Sequence, residues 1–247
     1  MSVQAHLPGR ATLPLRVEGW ARLGAVPSQV WWIVGGLVLA FGVPFVLADL
    51  ADLQRDLYYA LYVASVFTFV GVWALQTQQP VRAFLTRRWR LAVPLGVIAG
   101  VLLTFTVLRE PSTPHPHGLT FAGAILWRGI VYGAADGVLL SVFPILAVFG
   151  LFAVKPLRER SKRAVAGIGA LAIVVSLIFT AVYHLGYPDF RGSKVQRPLT
   201  GDVMWSAPTL VTLSPLGTPI AHIATHVTAV VHSYDTDLFL PPHGQAK

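Results

Sequence analysis

The chain has 247 residues, of which 54% are hydrophobic and only 12% are charged, and its formal net charge is +8. A soluble domain of this length would carry about a quarter charged residues, so the composition favours a lipid-facing surface. The sequence contains no cysteine, which excludes disulfides, iron–sulfur clusters, thiolate zinc sites and cysteine nucleophiles.

Long segments with almost no charge recur along the chain, and a membrane helix needs about 20 mainly apolar residues. The first three predicted spans cover residues 31–48, 57–75 and 91–108, and the fifth covers 164–187. Residues 1–29 are polar, contain prolines and lack an early apolar stretch, so they do not read as a secretory signal.

The fourth apolar region, residues 118–154, is too long for one simple crossing. It contains two charged residues, and the glycines at 129, 133 and 137 are expected to loosen its middle. We therefore expect a helical segment at 118–131 near the outer interface and a crossing at 132–152.

The sixth apolar region, residues 203–233, is interrupted by Pro215 and Pro219. Proline removes a backbone donor and disfavours a continuous helix. We place the last crossing at 218–232 and expect 205–213 to be a re-entrant or interfacial piece, which protein or water must cover at membrane depth.

Basic residues between the spans indicate the orientation of the chain. Twelve fall on one side and five on the other: Arg10, Arg16, Arg22, Arg82, Arg87, Arg88, Arg90, Lys155, Arg158, Arg160, Lys162 and Arg163, against Arg55, Arg109, Arg191, Lys194 and Arg197. This alternation predicts that both termini are cytoplasmic. Because the positive charge lies in short loops, it indicates a lipid bilayer as partner and no nucleic acid.

The predicted fold class is therefore all-α, a polytopic transmembrane helix bundle of about six spans with interrupted fourth and sixth regions. We expect one integral domain in the cell membrane. It would comprise a cytoplasmic N-terminal segment at 1–29, a helix bundle at 30–232 and a cytoplasmic tail at 233–247.

Ionisable side chains inside a membrane are costly, so each one raises a functional question. His222 and His226 are four residues apart, which on a helix places both imidazoles on one face. With His184 and Asp136, which we place at similar depth near the outer leaflet, they could hold a divalent metal such as zinc and leave one position open for water. The alternative is that the histidines make hydrogen bonds between helices.

Arg128 and Asp136 are opposite charges within one apolar region. They are candidate catalytic residues, and the alternative for Arg128 is a buried pair with Asp136 that orders the broken helix. His232 lies near the cytoplasmic end of its span, where interfacial packing is expected.

Two further groups of residues favour structural roles. His115 and His117 in a proline-rich loop could bind metal at the rim, but a flexible loop is the commoner explanation of this pattern. Aromatic side chains at the starts of the first two spans are typical of an interfacial belt. These are Trp31, Trp32, Tyr58, Tyr59 and Tyr62.

Three short motifs within residues 118–232 resemble the CPBP family of intramembrane proteases, which includes CAAX-processing and bacteriocin-processing enzymes. Trp127-Arg128-Gly129 is similar to the Arg-Gly that closes the family's Glu-Glu-x-x-x-Arg motif. Phe179-Thr-Ala-Val-Tyr-His184 resembles its Phe-x-x-x-His helix with one extra residue. Pro219-Ile-Ala-His222-Ile-Ala-Thr-His226 resembles its final His-x-x-x-Asn helix.

The resemblance implies a metal-centred intramembrane site in which two glutamates activate water. Here those positions are Gly123 and Ala124, and the position of the final Asn is His226 or Val230, depending on which histidine is matched. Asp136, further along the same region, is the carboxylate that could substitute.

Three functional hypotheses follow from these observations. The first is a non-enzymatic scaffold, or a subunit of a membrane assembly with protein partners, which keeps the family's fold without its standard catalysis. The second is an active intramembrane metal-dependent hydrolase, similar to a metalloprotease, that uses His184, His222, His226 and Asp136. The third is a transporter or haem-binding membrane subunit.

Overall fold

The structure, a computed structural model, describes residues 26–79, 81–153, 157–235 and 239–241. The described residues form helices and no β-strand. The helices in chain order are α1 (Val26–Val43, continued by a π-helical turn at Pro44–Leu50), α2 (Arg55–Gln76), α3 (Val81–Thr86), α4 (Trp89–Val107), α5 (Gly118–Leu151), α6 (Lys162–Leu185), α7 (Gln196–Thr212) and α8 (Gly217–His232).

Five of these helices are long and apolar enough to cross a membrane: Ser28–Leu50, α2, α4, α5 and α6. This confirms the all-α fold, and the first, second, third and fifth spans lie within three residues of their predicted bounds. Residues 1–25 of the predicted N-terminal segment 1–29, Lys155 and most of the predicted tail lie outside the described residues.

The interruption of the sixth region is also found, since α7 ends at Thr212 and α8 begins at Gly217. The predicted re-entrant piece is the second half of α7, a regular helix of 17 residues. The last predicted crossing is α8, whose 16 residues are fewer than the about 20 that span a bilayer alone. It packs between α4 and α5.

The fourth region differs from its prediction, because α5 is one continuous helix of 34 residues. Two π-helical segments, Ile125–Val131 and Val138–Val142, interrupt its α-helical geometry without ending it. At about 1.5 Å per residue it is about 50 Å long, which exceeds the about 30 Å of a bilayer core. The most apolar part of α5 is 83% buried, against 17–33% for the other four spans, so α5 is the central helix of the bundle.

Glycines explain how α8 fits between its two neighbours. A Cβ atom on Gly96 of α4 would lie 2.3 Å from the carbonyl oxygen of Gly217, and one on Gly129 of α5 would lie 2.7 Å from Val227. Gly133 and Gly137 continue the same face of α5 toward α8. The α5 glycines, which we expected to loosen the helix, therefore form a groove that lets two backbones approach closely.

Candidate metal centre

Three ligand-type side chains meet where α8 crosses α5. One ligand atom each of Asp136, His222 and His226 lies within 4.8 Å of the others. The i, i+4 spacing puts both imidazoles on one face of α8. Gly133 and Gly137 flank Asp136 and let these rings approach, since a Cβ on either glycine would lie 3.1 Å from Cδ2 of His226 or of His222, respectively.

The three side chains are buried and incompletely paired. Asp136 and His226 are 5% exposed and His222 is 2% exposed. His226 Nε2 lies 3.4 Å from Asp136 Oδ2. Both ring nitrogens of His222 and Nδ1 of His226 have no hydrogen-bond partner among the described residues. Buried polar atoms without partners are costly, so these nitrogens favour a bound ligand.

The donor set suits a divalent metal ion. Two imidazole nitrogens and one carboxylate oxygen form the ligand set of many catalytic zinc sites, where a fourth position stays open. The His222–His226 spacing also equals that of zinc-binding His-Glu-x-x-His helices, but the glutamate position here is Ile223. The residues present therefore fit a metal, while a general base must come from elsewhere.

Neighbouring side chains hold the three candidate ligands in place. The Tyr62 hydroxyl donates a hydrogen bond of 2.7 Å to Asp136 Oδ1. The Trp205 ring stacks on His222 with 4.7 Å between centroids, and Tyr132 meets His226 edge-on at 5.1 Å. Such supporting contacts fix ligand orientation in metal sites.

The tyrosines of α2 do not form an interfacial belt, so that expectation is wrong for them. Six buried tyrosines form a cluster beside Asp136: Tyr58, Tyr59, Tyr62, Tyr132, Tyr183 and Tyr187. Four of their hydroxyls form a chain, in which Tyr58 bonds to Tyr187, Tyr187 to Tyr183 and Tyr183 to Tyr132. Trp31, by contrast, is 71% exposed as a belt residue would be.

Tyr62 and Tyr59 offer a matched pair of hydroxyl deletions. Replacing Tyr62 with phenylalanine removes the hydrogen bond to Asp136, and we expect metal affinity to fall about 10–100-fold. The Tyr59 hydroxyl has no hydrogen-bond partner among the described residues, so Tyr59→Phe should leave affinity unchanged. Competition with a chromophoric chelator measures both, and equal losses would contradict a role for Tyr62.

A cavity of about 530 Å³ borders the cluster. Its lining runs from Asp136, His222 and His226 to the exposed side chains of Arg109 and Arg197, so the cavity reaches the protein surface. A substrate and water can therefore approach the candidate ligands from this side.

His184 lies on the cavity wall and not in the group of three. Its Nδ1 lies 2.8 Å from the carbonyl oxygen of Thr180, an acceptor, so Nδ1 carries the proton and donates. In the neutral ring the lone pair is then on Nε2. A role for His184 as a metal ligand stays a prediction.

Asp202 of α7 is a buried residue of the cavity wall that the sequence did not single out. Its carboxylate accepts hydrogen bonds of 3.0, 3.0 and 3.1 Å from Ser141, Ser176 and Ser206. Serines in the middle of apolar spans were the available signal, because a buried hydroxyl needs a partner.

Arg128 does not pair with Asp136, which corrects the expectation of a buried pair within α5. Its guanidinium instead donates two hydrogen bonds of 2.9 Å to the Asp56 carboxylate at the start of α2. It also lies 4.7 Å from the Tyr234 ring centroid. Arg128 is not part of the cavity lining, and these contacts tie α5 to α2 and to the segment after α8.

We expect Asp56→Asn to destabilise the bundle by about 1 kcal/mol, because Arg128 is 12% exposed and loses its bidentate partner. This is a low value for a charged hydrogen bond, since Asp56 is 43% exposed. Thermal unfolding in detergent measures the change. Glu159→Gln, in an exposed pair with Arg158 at 3.9 Å, is the control and should not shift the midpoint; equal shifts would contradict the account of the pair.

The other three histidines of the described residues, His115, His117 and His232, lie outside the cluster. His232 Nε2 lies 3.0 Å from the carbonyl oxygen of Glu110, which fits a packing role. This contact puts the end of α8 on the same side of the bundle as Arg109, whereas the predicted last crossing ends on the opposite side. The His115 ring stacks on Phe121 at 4.2 Å, and neither His115 nor His117 lines the cavity.

The fold and the site define a helical, apolar bundle of the kind found in integral membrane proteins, with a buried group that could hold a metal. Comparison with protein-family models, with curated proteins and with solved structures gave no match. The CPBP resemblance therefore stays a prediction. In the structure, Gly123 and Ala124 lie more than three helical turns before Asp136 on the same helix.

Proposed function

We propose that this protein is a metal-dependent hydrolase of the cell membrane in which Asp136, His222 and His226 hold a divalent cation such as zinc. One observation carries the proposal. Three ligand atoms lie within 4.8 Å of one another beside a cavity of about 530 Å³, and imidazole nitrogens among them have no other partner in the described residues.

A divalent cation held there supplies Lewis-acid activation of water and of a carbonyl group. The protein residues orient the ligands and move protons. Tyr62 fixes the Asp136 carboxylate, and Trp205 fixes the His222 ring. Leu103 and Leu140 give part of the cavity an apolar wall.

His184 is the proton acceptor in this proposal. Its Nδ1–H is held by the Thr180 carbonyl oxygen, which leaves Nε2 as the basic atom of a side chain on the cavity wall. His184 Nε2 takes the proton of the attacking water and returns it to the leaving group. His184 thus supplies the base that zinc-binding His-Glu-x-x-His helices take from their glutamate, whose position here is Ile223.

This proposal uses the α8 histidines that the CPBP resemblance also singles out, but the carboxylate comes from a different part of α5. Asp136 takes the place of a carboxylate at positions 123 and 124. The scaffold, transporter and haem hypotheses stay predictions, and no observation on the described residues favours one of them over a hydrolase.

We further propose that the protein lies in the membrane with its N-terminus in the cytoplasm, which the distribution of basic residues supports. The end of α8 would then lie on the outer side, because His232 contacts Glu110 in the loop between α4 and α5. A reporter fused before Met1 should then respond as a cytoplasmic one. A response from the outside would overturn this orientation.

The hydrolase proposal is tested by incubating purified full-length protein with extracted membrane lipids and, separately, with a peptide library. Mass spectrometry then detects products that have gained one water. We expect the zinc-loaded wild type to form such products. The wild type after removal of zinc by a chelator, and the His222→Asn variant, should form none. His184→Gln should keep its metal and lose turnover, whereas His117→Asn, on the exposed loop, should match the wild type. Metal-loaded protein that forms no such product from either pool would overturn the proposal.

A further inference from the structure

A second depression lies on the outside of the bundle, between α4 and α7. It has a volume of about 260 Å³ and is lined only by apolar residues. Ile98 and Leu102 on one wall and Val211 on the other are half exposed. The depression follows α4 from Leu95 to Leu102, which at about 1.5 Å per residue is a groove of about 10 Å.

The groove adjoins the cavity of the metal centre. Met204 of α7 lines both, and Leu102 of the groove is followed on α4 by Leu103 of the cavity. Methionine is unbranched and flexible, so its side chain can move aside with little strain. Met204 is therefore the side chain between the lipid-facing groove and the cavity.

The cavity mouth carries net positive charge. Arg109 and Arg197 line it together with one acidic residue, Glu110. Arg197 lies 3.8 Å from Glu110 and its side chain is 70% exposed, whereas Arg109 makes no hydrogen bond or ion pair to another described residue. Deeper in the cavity the carboxylates of Asp136 and Asp202 repel anions, so an anionic group is favoured at the mouth only.

We propose that this site takes a membrane lipid with an anionic headgroup. The headgroup binds between Arg109 and Arg197, and one acyl chain lies in the groove between α4 and α7. The chain passes the cavity at Met204, so the ester region of the lipid faces the candidate metal ligands. The inference rests on the proposed function for the fate of the lipid, but the binding itself does not need the metal.

Charge and shape together select this occupant. A soluble anion matches the arginines but leaves the apolar groove empty, and a zwitterionic lipid matches the groove but brings its own cation to the arginines. Hydrolysis of such a lipid at the proposed centre needs only water. The water oxygen bonds to the acyl carbon, the ester C–O bond breaks, and the alcohol oxygen leaves with the proton.

Native mass spectrometry of the detergent-purified full chain tests the binding. Phosphatidylglycerol and phosphatidylcholine with identical acyl chains are titrated with and without chelator. We expect phosphatidylglycerol to bind at least about tenfold more tightly, which corresponds to about two favourable charge contacts near a membrane surface. Inorganic phosphate should not displace it, whereas displacement would identify a soluble anion as the ligand and overturn the lipid assignment.

Matched variants separate the two contributions. The double variant Arg109→Gln and Arg197→Gln should bring phosphatidylglycerol to the affinity of phosphatidylcholine, and Arg82→Gln, an exposed arginine elsewhere, should not. Met204→Trp should weaken the binding of both lipids. Val203→Trp, at the neighbouring exposed position outside both depressions, should weaken the binding of neither.

Equal binding of the two lipids by the wild type, or a preference unchanged in the double variant, would overturn the inference. Chelated protein that keeps the preference shows that the lipid inference stands even if the metal proposal fails.

Discussion

Replacing His222 with asparagine should reduce metal affinity by more than about 100-fold. Loss of a partner behind a ligand already costs about 10–100-fold, and here a ligand itself is removed. Equilibrium competition with a chromophoric chelator and metal analysis of the purified protein measure the effect. His117→Asn removes an exposed imidazole outside the cluster and is the control.

The same variant should keep its fold without metal. Because neither ring nitrogen of His222 has a hydrogen-bond partner among the described residues, its loss leaves no protein group newly unpaired. We expect zinc to raise the thermal unfolding midpoint of the wild type, since a ligand that binds only the folded state stabilises that state. Zinc should leave the midpoint of His222→Asn unchanged. A variant that still binds one equivalent of metal would contradict the assignment.

Replacing Gly96 with alanine should strongly destabilise the bundle, because it adds a methyl group where the backbones of α4 and α8 meet. The added Cβ would lie 2.3 Å from the carbonyl oxygen of Gly217 and 2.9 Å from its Cα. Both atoms belong to backbone, so neither can rotate away, and the two helices must separate. Overpacking costs typically about 1–3 kcal/mol and sometimes more, and we expect the upper end of that range.

Gly71→Ala on α2 is the matched control, because nothing lies within 4 Å of its added Cβ. Alanine is a better helix former than glycine, so this variant should be neutral or slightly stabilising. Thermal unfolding in detergent measures both. A Gly96→Ala protein as stable as Gly71→Ala would show that α4 and α8 do not approach as closely as the structure has them.

Features that depend on neighbouring residues in sequence were predictable. Runs of apolar residues predicted four spans within three residues of their bounds, and the prolines at 215 and 219 predicted the break between α7 and α8. The i, i+4 spacing placed His222 and His226 together, because helical geometry fixes that relation locally.

Features that depend on contacts between distant helices were not predictable. The partner of Arg128 is Asp56, 72 residues away, and not the nearer Asp136. Tyr62 lies near the start of a span, which suggested an interfacial position, but α5 and α6 cover it. The sequence suggested that Gly133 loosens α5. Its role as a contact surface could not be predicted, because that surface exists only once α8 packs against α5.

The most direct test of the account is metal analysis of the purified full-length protein combined with X-ray absorption at the edge of the bound metal. We predict one divalent ion per chain. For zinc, two imidazole nitrogens should lie at about 2.0–2.1 Å and a carboxylate oxygen at about 2.0–2.2 Å, with the imidazole signal reduced in His226→Asn. Protein that binds no metal after loading, or a metal without imidazole ligands, would contradict the assignment of Asp136, His222 and His226 as its site.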